Sequence, residues 1–471
     1  MSGTLKREFS LWSAFAFAFA YISPIVALYG IFALAYTTSG PAFWWNFLIV
    51  FGGQLLVAMI FAELVSKWPV EGSIYQWTRR LVGKTAGWFS GWFYMWTIVI
   101  AMATVAMGAA GFVANILGLT VTGKGQATIA LIILALGTIA NLRGRTVIKV
   151  LMSASIIAEI IGSVGLGIWL FLFDVNQPLS SITSDFSKVS SGGFSGNAFL
   201  IAMAFVGFSF VGFESAGAIA EEVKDPQRSL PKAVILSLTI VTVVVAFAGL
   251  SVILAIADPA AVLSGEVADP VAAVLVAALG EGPAKVAQVL FAIGFLASFL
   301  ALQTAGSRVI WAYARDKALP AHKQLSKISA GATIPTNAVW VASIVGAVIL
   351  GVSQLAPNFY SLLINFTTGG FYLSFLFPLI GFLIVVMSGK WKAGPFSFGG
   401  KIKLISVLSV IWAVFMFFNI SWPRPVYAET PILDWSVAVG VLVLTIVGAL
   451  VYASVNKKMT IVDADALNRN S

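Results

Sequence analysis

Three carboxylates lie inside long apolar segments of this 471-residue chain, and their chemistry needs a reason. They are Glu63, Glu159 and Glu214, each surrounded by hydrophobic sequence. An ionised carboxylate inside a bilayer costs at least about 2.5–3.5 kcal/mol on an insertion scale. Each of the three therefore requires a hydrogen-bonding or charged partner, a bound cation, or a proton.

Glu159 is the most isolated of these carboxylates. It follows Arg145 by about 14 residues, which is about 20 Å at the rise of an α-helix and places it near mid-membrane. Desolvation favours the protonated form of such a group, so Glu159 is a candidate proton carrier. Alternatively, it holds a sodium ion, faces a cationic substrate, or is a neutral group bonded to broken backbone.

The composition identifies the class of protein and excludes most other chemistry. Hydrophobic residues make up 59% of the chain and charged residues 10%, against about 45–50% and about 25% in soluble proteins. There is no cysteine, and His322 is the single histidine. We therefore predict an all-α polytopic membrane protein without catalytic residues, metal or cofactor, and we exclude nucleic-acid binding.

Apolar runs of about 20 residues, enough to cross the hydrocarbon core of a bilayer, occur twelve times. The predicted spans 1 to 12 are residues 10–36, 43–66, 86–117, 125–141, 146–173, 197–222, 232–256, 284–314, 337–354, 359–388, 402–420 and 434–454. With both termini inside, 24 of the 28 Lys and Arg residues lie on the inner side. This bias predicts cytoplasmic termini in a cell (inner or plasma) membrane.

Two of these spans contain helix-breaking residues at their middle. Span 1 reads Tyr21-Ile-Ser23-Pro24, and span 6 reads Gly207-Phe208-Ser209-Phe210 followed by Gly212. Proline removes a backbone hydrogen bond, and glycines weaken a helix. Corresponding breaks in two halves indicate a transporter binding site. We predict that the substrate lies between them, and the predicted binding residues are Tyr21, Ser23, Pro24, Gly207, Phe208, Ser209, Phe210 and Trp96.

Four segments, in order along the chain, resemble those of the amino acid–polyamine–organocation transporter superfamily. They are Ala62–Leu64, Pro69–Tyr75, Gly212–Pro231 and Arg315–Pro320. The resemblance covers essentially the whole chain. It implies two inverted five-helix repeats, residues 10–173 and 197–388, with broken helices 1 and 6. Two further helices (402–454), a cytoplasmic N-terminus (1–9) and a cytoplasmic tail (455–471) complete the expected organisation.

The form of the first break points to a branch within this superfamily. Many members have a glycine-rich break in span 1, whereas Tyr21-Ile-Ser-Pro24 is similar to the amino acid/choline branch, as is Asn365–Pro378 of span 10. That branch includes 4-aminobutyrate and choline permeases. In several proton-coupled relatives a lysine occupies the position of Glu159 and replaces a sodium ion between spans 1, 5 and 8. This resemblance makes Glu159 and Ser298 the expected ion-coupling residues.

The remaining acidic residues are expected to support or gate the breaks. Glu63 is predicted to pair with Lys67 or to bond between helices, and Glu214 to support the break of span 6. Glu221 and Glu222 begin a charged loop to Pro231, expected to be either a gate latch or a solvated turn.

The predicted function is secondary active import of a small amino acid or amine by alternating access. The substrate would be of the 4-aminobutyrate, choline or polyamine class, and proton coupling is favoured over sodium. The alternatives are an uncoupled or sodium-coupled exchanger of the same fold and, from another class, a channel or receptor. No selectivity-filter repeat or sensor domain in the sequence favours the last of these.

Overall fold

The computed structural model describes residues 10–121, 123–184, 193–329, 334–353, 359–424 and 434–460. Within these ranges the regular elements are all helices. Eleven candidate membrane spans are long and apolar enough to cross a bilayer. This confirms the predicted all-α membrane class. The expected N-terminal segment 1–9 and residues 461–471 of the tail lie outside the described residues.

The helices follow the predicted spans. In order they are Leu11–Ile22 with Pro24–Tyr29, Trp44–Lys67, Lys84–Ile116, Gly123–Leu142, Arg145–Glu159 continued by Ile160–Gly165 and Leu166–Phe173, Ala198–Phe208 with Phe213–Glu222, Pro226–Ala255, Glu281–Arg315, Thr336–Ser353, Phe359–Met387, Ile402–Ser421 and Ser436–Val455. The ninth, Thr336–Ser353, is an apolar helix shorter than the eleven candidate spans. The count of twelve spans therefore stays a prediction.

Shorter helices connect several of the spans. They are Phe32–Ser39, Ser73–Val82, Ser181–Ser184, Gly193–Gly196, Pro259–Leu263, Pro270–Leu279 and His322–Leu325, with 3-10 turns at Gly40–Phe43 and Gly399–Lys401. Two predicted boundaries were wrong. Span 1 stops at Tyr29 rather than at residue 36, and the chain resumes as a separate helix at Phe32. Span 7 begins at Pro226 rather than residue 232, because proline is tolerated in the first turn of a helix.

The two broken spans lie at the centre of the bundle. Span 1 packs against spans 6, 7 and 8, and span 3 packs against spans 8 and 10. Spans 2 and 7, which hold the same position in the two predicted repeats, pack on each other. Span 12 is peripheral, with 17% of its apolar window buried. The bounds of the repeats themselves stay a prediction.

Candidate functional site

The break in span 1 falls at Ser23, as predicted. One helix ends at Ile22, the next begins at Pro24, and Ser23 between them has a φ of 51°. Pro24 cannot donate a backbone hydrogen bond, and its ring disfavours helical backbone at the preceding residue. The Ser23 hydroxyl accepts a hydrogen bond from the backbone N–H of Val26 at 3.2 Å, which caps the second half-helix. The Ser-Pro pair thus both breaks span 1 and restarts it.

Glu159 of span 5 reaches this break. Its carboxylate accepts hydrogen bonds from the Ser23 hydroxyl and, at 2.9 Å, from the backbone N–H of Ile25. On the preceding turn, Ser298 of span 8 donates to the carbonyl of Tyr21 at 2.8 Å. A negative group at the first amides of a helix is electrostatically favourable. Spans 5 and 8 therefore both bind the broken backbone of span 1, through the two residues predicted to couple ions.

The break in span 6 also lies where it was predicted. The helix ends at Phe208, and the chain resumes as a 3-10 helix over Phe213–Glu222. Gly212 between them has a φ of +109°, which L side chains rarely adopt. A Cβ atom at Gly212 would lie 2.4 Å from Cδ1 of Tyr21. Glycine therefore allows the two breaks to touch each other.

Side chains hold the broken segment of span 6 in place. The Ser209 hydroxyl donates to the carbonyl of Ala27, which belongs to the second half-helix of span 1. Gln54 of span 2 donates its side-chain N–H to the carbonyl of Phe210 at 3.0 Å. Gly207 packs closely against Thr368 of span 10. The carbonyl of Phe210, freed by the break, is thus bonded by a neighbouring span. Gln54 was missed because an isolated glutamine carries no sequence signal for this role.

Glu214 bonds a backbone amide at the break of span 6, as Glu159 does at the break of span 1. It is fully buried, and it accepts hydrogen bonds from the backbone N–H of Gly212 at 3.0 Å and from the Tyr94 hydroxyl at 3.1 Å. The freed amides of Ile25 and Gly212 are therefore both bonded by carboxylates of the protein.

A small cavity of about 20 Å³ is lined by residues of both breaks. Of the predicted site residues, Tyr21, Phe208 and Ser298 line it. The rest of its wall is apolar: Ile22, Val26, Ala101, Val105, Val211, Leu302 and Phe371. This volume holds about one water molecule, so a larger molecule enters only if the walls move apart. We call it the central cavity.

Trp96 does not belong to this site, contrary to expectation. It lines apolar grooves on the other side of span 3, together with Val345 of span 9, Phe366 of span 10 and Leu444 of span 12. The prediction for Trp96 was wrong because aromatic residues four positions apart share one face of a helix, but this spacing does not show which neighbouring helix covers that face.

Glu63 supports a loop rather than pairing with Lys67. It accepts hydrogen bonds from the backbone N–H of Phe398 at 2.6 Å, from the Ser397 hydroxyl at 2.8 Å and from the Trp391 indole at 3.3 Å. These residues connect spans 10 and 11. Both predicted roles, pairing with Lys67 and bonding to another helix, thus differ from the bonds to a loop that the structure contains.

A cluster of charged side chains lies where spans 6 and 8 end. Its ion pairs are Arg79–Asp316 at 3.1 Å, Arg308–Glu222 at 3.4 Å and Arg315–Glu221 at 3.3 Å between nitrogen and oxygen. Glu221 and Glu222 are thus paired rather than solvated, and their role as a gate latch stays a prediction. The arginines were missed because sequence reasoning counted them as flanking charges that set orientation.

Glu71 is a further buried carboxylate in this cluster. Its backbone N–H donates to Glu221 at 3.2 Å, whereas the described residues provide no hydrogen-bond donor to either of its carboxyl oxygens. Burial raises the pKa of Glu71 well above its usual value; Glu221 and Glu222 raise it further, and Arg308 and Arg315 oppose this. Glu71 therefore favours the protonated form more than an exposed glutamate does.

A second cavity, of about 200 Å³, opens beside this cluster. We call it the vestibule, and its lining residues are Ser13, Ala16, Phe17, Ile148, Met152, Ser153, Ile219, Glu222, Thr304 and Arg308. It lies on the side where span 1 begins. Phe17 is one turn from Tyr21, and Thr304 is two residues from Leu302, so the vestibule adjoins the central cavity along spans 1 and 8. Among the described residues no group of three acidic or histidine side chains could hold a metal ion.

Two broken membrane-spanning helices that meet around a cavity at the centre of a bundle are the arrangement of a secondary transporter. The chain belongs to the amino acid permease family, whose model matches residues 9–455. This confirms the predicted superfamily, and it makes the protein a transporter-family member and not an enzyme.

Individual relatives differ in what their names say they carry. The chain is 30% identical to a branched-chain amino acid permease, BcaP, of Lactococcus lactis, over 73% of this chain and 74% of the relative. It is 27% identical to BcaP of Bacillus subtilis, over 89% of each chain. It is 28% identical to a methylthioribose transporter of Bacillus subtilis, over 88% of each chain.

Proposed function

We propose that the protein carries a small amino acid across a cell membrane by alternating access at the central cavity. The observation that carries this proposal is the meeting of the two breaks, at Ser23 and at Ser209–Gly212, around one cavity. The central cavity is nearly closed and the vestibule is about ten times larger. A pathway that is wide on one side and closed at its centre is what alternating access requires.

The walls of the central cavity favour an aliphatic side chain on the substrate. Ile22, Val26, Val105 and Leu302 offer apolar surface and no charge. The names of two relatives point the same way, and we propose a branched-chain amino acid. The amine or 4-aminobutyrate class is the second candidate, because Tyr21, Phe208 and Phe371 in the same wall could bind a cationic group through their ring faces.

Ligand-induced thermal stabilisation separates these substrate classes. A ligand that binds the folded protein alone raises its melting temperature by an amount that grows with its concentration over Kd. We expect L-leucine, L-isoleucine and L-valine to stabilise the purified protein more than 4-aminobutyrate, choline or methylthioribose. Stabilisation by choline or 4-aminobutyrate alone would establish the second candidate, and stabilisation by methylthioribose alone would contradict both.

We propose further that transport is coupled to protons through Glu159. As a carboxylate, Glu159 accepts hydrogen bonds from Ser23 and Ile25 across the break of span 1. Protonation weakens it as an acceptor and so loosens the half-helix beginning at Pro24. Movement of that half-helix would expose the central cavity to one side or the other. A sodium ion bound at the same carboxylate, or no coupled ion, is the competing account.

Imposed gradients across proteoliposomes test this coupling. Proton coupling predicts that an inward proton gradient drives accumulation without sodium, and that Glu159→Gln loses accumulation while counterflow exchange survives. Like protonated Glu159, the glutamine is neutral and keeps one acceptor oxygen, but it carries no proton that can be released. Accumulation driven by sodium alone, or accumulation by Glu159→Gln with unchanged pH dependence, would contradict this role.

A further inference from the structure

The Arg308–Glu222 ion pair lies in the wall of the vestibule. Glu222 is 1% exposed and Arg308 is 2% exposed, and both line the cavity. Their contact is long, 3.4 Å between Nε of Arg308 and Oε1 of Glu222, and Arg308 also donates to the Ser307 hydroxyl at 3.3 Å. Because both side chains are almost fully buried, their charges are screened less than those of an exposed pair.

The spacing of these charges matches that of an α-amino acid. Standard bond lengths place the nitrogen and the carboxyl carbon of an amino acid about 2.5 Å apart. A zwitterion lying antiparallel to the pair can therefore place its carboxylate against Arg308 and its ammonium against Glu222 at the same time. Arginine binds carboxylates with two parallel donors, which strengthens such a contact. In 4-aminobutyrate the two charges are separated by three carbons and fit this pair less well.

The rest of the vestibule suits the side chain of the amino acid. Phe17, Met152 and Ile219 supply apolar surface for a side chain, while Ser13 and Ser153 stand at the wetter edge, half-buried and exposed respectively. Ser298 in the wall of the central cavity precedes Arg308 by ten residues on span 8, about 15 Å along the helix. The two places are thus separate positions on one route.

We propose that Arg308 and Glu222 form a second, weaker binding site for a zwitterionic amino acid, distinct from the central cavity. The guanidinium of Arg308 holds the carboxylate of the substrate, and the carboxylate of Glu222 holds its ammonium. The proposal rests on the proposed function, since it assumes an amino acid substrate. The site would hold the substrate between the central cavity and the bulk solution on the N-terminal side.

Equilibrium binding of radiolabelled L-leucine to the purified protein tests this site. We expect two classes of site per chain in the wild type. Removing one member of a buried pair is strongly destabilising, so the test variant replaces both residues, Glu222→Gln with Arg308→Gln. It should weaken the low-affinity class about tenfold or more and keep the high-affinity class. Glu221→Gln with Arg315→Gln, a partly exposed pair outside the vestibule lining, should keep both classes.

A second variant tests the same site independently, in case the double variant does not fold. Ala16→Trp fills the vestibule and leaves the ion pair unaltered, and it should also remove the low-affinity class. Ser209→Leu, which removes the hydrogen bond from the break of span 6 to Ala27 of span 1, should instead remove the high-affinity class. A single class in the wild type, or two classes in Ala16→Trp, would overturn the second site and leave the proposed function standing. Absence of any L-leucine binding would overturn both.

Discussion

At the residue scale, the most informative feature is that each helix break is bonded by a carboxylate. Glu159 accepts from Ile25, and Glu214 accepts from Gly212. Sequence could identify both residues as unusual, because a carboxylate in an apolar span needs a reason. It could not identify Ile25 or Tyr94 as donors, because these residues lie on other spans and reach the carboxylates only through packing, whereas Gly212 is two residues from Glu214. Trp96 shows the reverse case. Its aromatic side chain suits a substrate site, but in the structure it lines grooves with spans 9, 10 and 12, away from the central cavity.

Glu71 offers a pH-dependent test of the charge cluster. Its raised pKa means that the folded state holds a proton which the unfolded state releases above about pH 4.3. Wild-type stability should therefore fall as pH rises through the folded-state pKa, and Glu71→Gln should not share this loss. We expect the variant's advantage in melting temperature to grow as pH rises above the ordinary glutamate pKa. Glu266→Gln, at an exposed loop, is the control and should track the wild type.

At the element scale, the sequence reveals where helices break more readily than where they end. Pro24 and Gly212 fix the breaks through backbone chemistry that is local to the residue. The π-helical turn over Ile160–Gly165, directly after Glu159, was not predicted. Tyr29 of span 1 donates to the carbonyl of Gly162 in this turn at 3.0 Å. At the end of span 1, Tyr360 of span 10 donates to the carbonyl of Gly30 at 3.0 Å. The sequence does not reveal either contact, because both join separate spans.

The break of span 6 requires glycine at position 212, and a single substitution tests this. Gly212→Ala requires a left-handed backbone, which costs about 1–2 kcal/mol, and a clash with Tyr21 adds to this. We expect a lower melting temperature of the detergent-solubilised protein and loss of substrate binding. Gly52→Ala is the matched control, because no atom lies within 4 Å of the added methyl group. In a helix that change should be neutral or stabilising by about 0.5–1 kcal/mol. Equal effects of both variants would contradict the assigned role of Gly212.

At the scale of the whole molecule, the positive-inside bias predicts that the vestibule faces the cytoplasm, because it lies on the side where span 1 begins. The absence of cysteine allows single cysteines to report that orientation without background labelling. Ser264, between spans 7 and 8, and Ser388, after span 10, are both exposed. We expect an impermeant maleimide to label Ser264→Cys in intact cells, and Ser388→Cys only after permeabilisation. The opposite pattern would place the termini and the vestibule outside.

The central claim is that an amino acid crosses the membrane between the breaks of spans 1 and 6. Uptake of radiolabelled L-leucine into proteoliposomes tests it most directly, with wild type, Ser209→Leu and Thr445→Leu compared at equal reconstitution. Thr445 is exposed on span 12, far from the breaks, and serves as the matched control. The account predicts saturable uptake by wild type and Thr445→Leu, and none by a folded Ser209→Leu. Uptake by Ser209→Leu with wild-type kinetics would contradict it.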